Sequence, residues 1–300
     1  MMGDMGAQDD HELLDVGDGR RLDRFGDVVL DRPFPSAERA RPSDRGAWTR
    51  ADARFERSTA GDVDHRGWTT RSGRPIEPWC IREGRLTVEL RLAGSGQVGW
   101  FPEAAADRTW IGDRALAAIR AAERRGDAET PAILSLFGYT GGAALAAAAA
   151  GSRATHVDAA RTAVAWARRN AELSSLADRP VRWIADDVVG FAGRERRRGR
   201  RYAGIVVDPP TYGHGSDGRA WSLTRDIPGL LDDLGALLEP WPGSFVLLST
   251  HTPGVEDATL EGWLAASLGP GRAETVEQAL TTAKGAIVPL GLSTRWVRGR

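Results

Sequence analysis

From residue 133 onward, short runs of Ile, Leu, Val and Phe alternate with longer stretches in which apolar residues recur three and four positions apart. The runs at 133–137, 154–157, 181–185, 205–207 and 245–249 read as strands, the first of them buried. The stretches at 143–150, 160–173, 227–238 and 260–268 carry helical spacing, and two last runs, 274–279 and 287–297, read as the strands of a terminal hairpin. Strand–helix alternation winds helices onto both faces of a parallel sheet. The expected class is therefore α/β, with a doubly wound, mostly parallel sheet of seven strands, the hairpin making it mixed.

Upstream the pattern is of another kind. Runs at 12–16, 28–30 and 87–92 read as short strands, the last alternating Leu86, Val88, Leu90 and Leu92 with polar neighbours as a half-buried strand does. Between them, 31–78 is rich in Arg, Pro and Gly and poor in periodicity, so long loops are expected there. The chain divides near residue 105, into a small β-rich, loop-rich N-terminal subdomain (1–104) and a larger domain (105–300).

Composition narrows the chemistry. Cys80 is the only cysteine, which excludes an intrachain disulfide and argues against a thiolate-built metal site. It is expected to be a small packed side chain. No run is long and apolar enough to cross a bilayer. The acidic segment 1–15 lacks the basic-then-apolar order of a signal peptide, so a cytoplasmic location is expected. The net charge of −1 argues against wholesale electrostatic capture of nucleic acid but leaves room for a local basic face. Lys284 is the single lysine among many arginines, a bias that fits phosphate recognition or merely genome composition.

In a sheet of this class, ligands bind beyond the carboxyl ends of the strands, where strand order reverses. Four strand ends carry suggestive residues. The first runs Phe137-Gly138-Tyr139-Thr140-Gly141-Gly142 into a helix; its glycines allow a sharp turn and close approach of a ligand, though an ordinary tight turn uses them too. The second ends at Asp158, spaced from the glycine turn much like the acid about 20 residues on that accepts ribose hydroxyls, or else capping the next helix. The third ends Asp186-Asp187, one of which suits an adenine amino group while the other caps a helix; Asp186 is the preferred ligand. The fourth is Asp208-Pro209-Pro210-Thr211-Tyr212-Gly213. Two prolines after a buried strand force a rigid extended turn. The carboxylate and backbone carbonyls then form a row of acceptors suited to a planar nitrogen, and Tyr212 offers a face on which a base can stack.

Taken together these segments resemble the class I S-adenosylmethionine-dependent methyltransferases of the ribosomal-RNA large-subunit type. Residues 134–142 are similar to that family's N-L-F-x-Y-T-G segment, and 156–159 to its V-D-x-S segment, with Ala160 in place of the serine. Residues 208–212 are similar to its D-P-P-[ST]-[FY] motif, and 98–103 to the segment entering the cofactor pocket. The resemblance covers roughly 95–255; no segment matches that family's N-terminal RNA-binding (PUA-like) module. It implies a Rossmann-like methyltransferase fold, S-adenosylmethionine as cofactor and RNA, above all ribosomal RNA, as partner. By position it implies that Phe137, Gly138, Tyr139, Thr140, Gly141, Asp158, Asp186 and Asp208 hold the cofactor. Asp208, Pro209, Pro210 and Tyr212 would face the target base.

Methylation of a pyrimidine at carbon 5 needs a thiolate that adds to the ring. With Cys80 alone, and far along the chain from Asp208, nitrogen methylation is favoured. His214 and His251 follow the fourth and fifth strand ends and are further candidates for substrate contact or proton acceptance. The basic run 194–201 precedes the fourth strand and is expected at the opposite end of the sheet, as a solvated helix face rather than a phosphate contact. Transfer to a protein or small molecule, a non-catalytic RNA-binding scaffold, and a nicotinamide oxidoreductase are the competing readings. The last lacks its G-x-G-x-x-G fingerprint.

Overall fold

The computed structural model describes residues 10–56, 67–214 and 220–299. It forms two compact units: Met1–Pro102 with Ala279–Pro289, and Glu103–Gln278 with Leu290–Arg300.

The first unit contains β1 (His11–Gly17), β2 (Arg20–Phe25), β3 (Val28–Pro33), the one-turn helix α1 (Arg45–Trp48), β4 (Ala53–Phe55) and β5 (Trp68–Thr70). The five strands pair in chain order as one sheet, and β6 (Trp79–Glu83) with β7 (Leu86–Leu90) forms a separate ribbon. In β7, Leu86, Val88 and Leu90 are buried and the intervening residues are not, as the alternation predicted; Leu92 lies past the strand. Residues 31–78, expected to be loops, hold α1, β4 and β5, elements too short to show a period. Cys80 is exposed rather than packed, because β6 turns Ile81 inward and so points its neighbour out. On β2 Asp23 is wholly buried. Burial alone would raise its pKa, but Arg21 and Arg32 outweigh that and hold the carboxyl well below the usual range.

The second unit opens with α2 (Ala105–Arg125), which ends at Gly126 in the left-handed conformation. There follow β8 (Ala132–Leu136), α3 (Gly142–Ala149), β9 (Arg153–Asp158), α4 (Arg161–Leu173), β10 (Val181–Ala185), α5 (Val188–Arg197) and β11 (Gly204–Val207). A short ribbon, β12 (Tyr212–His214) with β13 (Ala220–Ser222), precedes α6 (Leu223–Leu237), β14 (Phe245–Thr250), α7 (Asp257–Leu268), β15 (Gly271–Thr281) and β16 (Ile287–Arg298). The seven-stranded sheet has the order β10-β9-β8-β11-β14-β16-β15. The first five of these are parallel, and β16 runs antiparallel to β14.

The strands at the middle of the sheet are buried on both faces, which is why their sequences are unbroken apolar runs rather than alternating ones. Leu134, Leu136, Ile205, Val207, Val246 and Leu248 face one core with α5, α6 and α7. Ile133, Val206, Phe245 and Leu247 face the other, with Ile111 and Ala115 of α2 and Ala144 and Ala147 of α3. Gly204 sits opposite Phe245 in register, and a Cβ there would fall 2.1 Å from the phenyl ring. Strand order reverses between β8 and β11, so the crevice of the fold opens beyond Leu136 and Val207.

Candidate active site

The chain leaving β8 does not relax into an ordinary turn. Phe137 and Tyr139 both hold positive φ (54° and 47°), and Gly141 follows at 96°. Left-handed backbone at a bulky residue costs about 1–3 kcal/mol and survives only where its surroundings enforce it. Here Asp158 enforces it. Its Oδ2 accepts the Tyr139 amide at 2.8 Å, and its Oδ1 accepts the Ala160 amide at 2.8 Å. The Gly138 amide donates to the Val157 carbonyl, and the buried Asn170 side chain of α4 donates to the Thr140 carbonyl at 3.0 Å. A Cβ on Gly138 would lie 2.4 Å from His156 Nδ1, and one on Gly141 would lie 3.0 Å from the Ala167 Cβ. The glycines therefore serve the close packing of the loop onto β9 and α4.

His156 lies fully buried beneath this loop, and neither ring nitrogen is in a well-formed hydrogen bond. Burial pushes its pKa down to about 4, against a smaller opposing pull from the Tyr139 backbone. Burial, helped by the Asp158 charge, pushes the Tyr139 phenol up to about 12. The imidazole and the phenol are thus both neutral at pH 7.

The neighbouring strand ends complete the edge of the crevice. Asp186 follows β10, and its amide donates to the Asp158 carbonyl. Its carboxylate takes the Asp187 amide at 2.9 Å and is paired with Arg194, while Asp187 caps α5 through the Gly190 amide at 2.7 Å. The two aspartates have divided the tasks of ligand candidate and helix cap.

Asp208 projects from the end of β11 and is solvent-exposed. Its amide donates to the Leu136 carbonyl, and Ser249 of β14 donates to its Oδ1 at 2.5 Å. Pro209 is buried and Pro210 exposed. The turn is fixed on both sides: Trp221 Nε1 donates to the Pro210 carbonyl at 2.8 Å, and the Thr211 and Thr252 hydroxyls bond at 2.8 Å. Of the expected row of acceptors, the Pro210 carbonyl is thus engaged by Trp221. Trp221 also packs on Phe137, with ring centroids 5.2 Å apart, tying the fourth strand end to the first. Tyr212 stands 77% exposed on the β12–β13 ribbon. The His214 side chain lies outside the described residues. His251 is exposed and meets the Leu290 carbonyl through Nδ1 at 2.8 Å. Along the chain, the first unit gives way to the second within residues 98–103.

Asn170, Trp221 and Ser249 hold this arrangement and were not among the expected site residues. A lone asparagine on an Ala- and Arg-rich helix was the signal available for the first; for the other two the sequence offers none.

The model of the S-adenosylmethionine-dependent methyltransferase family matches residues 47–264. The chain belongs to that family. A SAM-dependent methyltransferase from Agrobacterium tumefaciens is 30% identical, over 98% of this chain and 91% of that one, with a TM-score of 0.85. Two more distant structures share the fold. One, described as a methyltransferase and solved with S-adenosylhomocysteine, is 18% identical over 96% of this chain and 75% of that one (TM-score 0.73). The other, the M. jannaschii tRNA m1G37 methyltransferase, is 12% identical over 97% and 74% (TM-score 0.55). The cofactor of this methyltransferase is S-adenosylmethionine, and the crevice suits it. The N-terminus of α3, whose N-cap Gly141 supplies no side chain of its own, fits the carboxylate of a methionine moiety. The carboxylates at the ends of β9 and β10 fit hydroxyl and amino donors. Among the described residues no group of His, Cys, Asp and Glu is placed to hold a metal ion. No described helix is long and apolar enough to cross a membrane.

Proposed function

We propose that this methyltransferase acts in the cytoplasm on a base nitrogen of RNA, most specifically ribosomal RNA. The observation that carries the reading is the turn at 208–212. An exposed carboxylate fixed by Ser249 stands beside a rigid Pro-Pro segment and a nearly free tyrosine ring. Acceptors in a fixed row recognise an N–H edge, and an aromatic face next to them holds a splayed base. In this reading Phe137 to Gly141 and Asp158 cradle the cofactor, Asp186 receives its adenine once Arg194 shares the carboxylate, and Pro209, Pro210 and Tyr212 hold the base. That the fold is shared with a tRNA methyltransferase is in keeping with it.

The cofactor supplies an electrophilic methyl group on a sulfonium. The protein's task is alignment: Asp208 and the Pro209 carbonyl hold the N–H edge so that the nitrogen lone pair points at the methyl carbon. Asp208, or solvent beside it, would take the proton that the nitrogen gives up on methylation. Orientation of this kind contributes the greater part of such rate enhancements, and a misplacement of about 1 Å costs about 100-fold. Asp208→Ala is expected to lower kcat for RNA methylation about 100-fold, well beyond any loss of S-adenosylhomocysteine affinity. Near-normal turnover in that variant would remove Asp208 from the chemistry. Equal transfer to protein in place of RNA would favour the protein-substrate alternative.

A further inference from the structure

The amino edge of the seven-stranded sheet, away from the crevice, holds a cleft of about 1150 Å³. The second half of α2 and the segments entering β8, β9, β10 and β11 enclose it. Eight arginines line it against three carboxylates, in a chain whose overall balance is −1. Two of those carboxylates, Asp127 and Glu129, are already paired with Arg125 and Arg153. Arg124, Arg179 and Arg200 are exposed and have no ion-pair partner among the described residues. Trp241 lies in the same lining, 48% exposed, with the Arg125 guanidinium 5.4 Å from its ring centroid.

Concentrating positive charge at one edge of a near-neutral protein needs a reason, since like charges so gathered repel one another. The arginines come from four separate chain segments. That disposition suits a chain of phosphates better than one small anion held at a point. Guanidinium forks beside an open indole are the combination by which single-stranded nucleic acid is held: phosphates on the forks, a base on the ring. We propose that this cleft is a second RNA contact, which grips the phosphodiester backbone while Trp241 stacks a base. The inference rests on the RNA reading for its choice of polyanion. Strands of five and six residues put roughly 17–20 Å between the cleft and the crevice, a span that a few nucleotides bridge. The expected solvated face at 194–201 is thereby divided: Arg200 and Arg201 line the cleft, and Arg194 serves Asp186.

The test compares two charge-reversed proteins. Arg124→Glu/Arg179→Glu/Arg200→Glu alters the cleft; Arg120→Glu/Arg168→Glu/Arg272→Glu alters exposed arginines of the same unit outside it. The cleft variant is expected to raise KM for single-stranded ribosomal RNA fragments at least about tenfold, with kcat and S-adenosylhomocysteine affinity unchanged. Its binding should also lose about two units of log–log salt slope, about 0.7 for each of three phosphates. Trp241→Ala should weaken single-stranded binding about tenfold and duplex binding little. Wild-type KM and salt slope in the cleft variant, or an equal loss in the control set, would overturn the proposal, as would binding of tripolyphosphate without binding of RNA. RNA bound through the cleft but never methylated keeps the cleft and removes RNA as substrate; RNA methylation indifferent to the cleft variant does the reverse.

Discussion

Asp158 commits one carboxylate oxygen to the Tyr139 amide and the other to the Ala160 amide, so it shapes the loop after β8 before any ligand arrives. Each oxygen keeps a second lone pair, and hydroxyls of a ribose are suitable donors to them. Asp158→Ala is therefore expected to act twice. It should lower stability by about 1–3 kcal/mol, from amides left unsatisfied and a left-handed loop released, and weaken S-adenosylhomocysteine binding at least tenfold by titration calorimetry. Unchanged affinity would move the ribose contact elsewhere. His156 gives a signature in pH. Its folded pKa, about 4, lies below the ordinary 6.5, so the unfolded chain binds the proton more readily. The stabilising effect of the neutral ring is complete above about pH 6.5 and is lost as pH falls toward 4, an effect of about 3 kcal/mol. Urea unfolding at pH 7 and pH 4 should show that loss in the wild type, and a smaller one in His156→Leu. Identical losses in the two would contradict the assignment.

At the scale of elements, what the sequence disclosed follows from how each element is buried. β8, β11 and β14 lie between two layers of helices, so they are mostly apolar and stand out. The hairpin of β15 and β16 and the helices α3, α4, α6 and α7 were also legible, within a few residues at their ends. α2 was not, although it begins where the sequence pattern changes. Its buried face is built from Ile111, Ala115 and Ala122 together with Asp107 and Arg108, a stripe too small and too polar to register as amphipathic. Asp107 is buried because Gln278, Ser293 and Arg295 of the terminal hairpin satisfy it, a set of partners more than 150 positions away. β2 escaped notice for the same cause: Arg21 and Asp23 are buried as partners, with Arg32 also bound to Asp23, so the strand reads as polar. The strand-end residues were legible because glycine, proline and aspartate have few reasons to gather after an apolar run. Their supports, Ser249 on Asp208 and Trp221 on Pro210, come from other elements and depend on the finished sheet.

The whole molecule distributes its chemistry along one axis of the sheet. At the carboxyl edge stand the exposed Asp208, the half-buried Asp158 and Asp186, a strained glycine loop and a rigid Pro-Pro turn; at the amino edge lies the arginine-lined cleft. A net charge of −1 conceals this polarity, and the local basic face for which composition left room is found at the amino edge. Membership of the methyltransferase family settles the methyl donor and leaves the acceptor as the central claim. The measurement that tests it most directly is transfer of an isotopically labelled methyl group to ribosomal RNA and to protein in parallel, followed by digestion of the RNA to nucleosides and mass spectrometry. The account predicts label in RNA, on a ring or exocyclic nitrogen of a single base type. Label on pyrimidine carbon 5, or confined to protein, would contradict it.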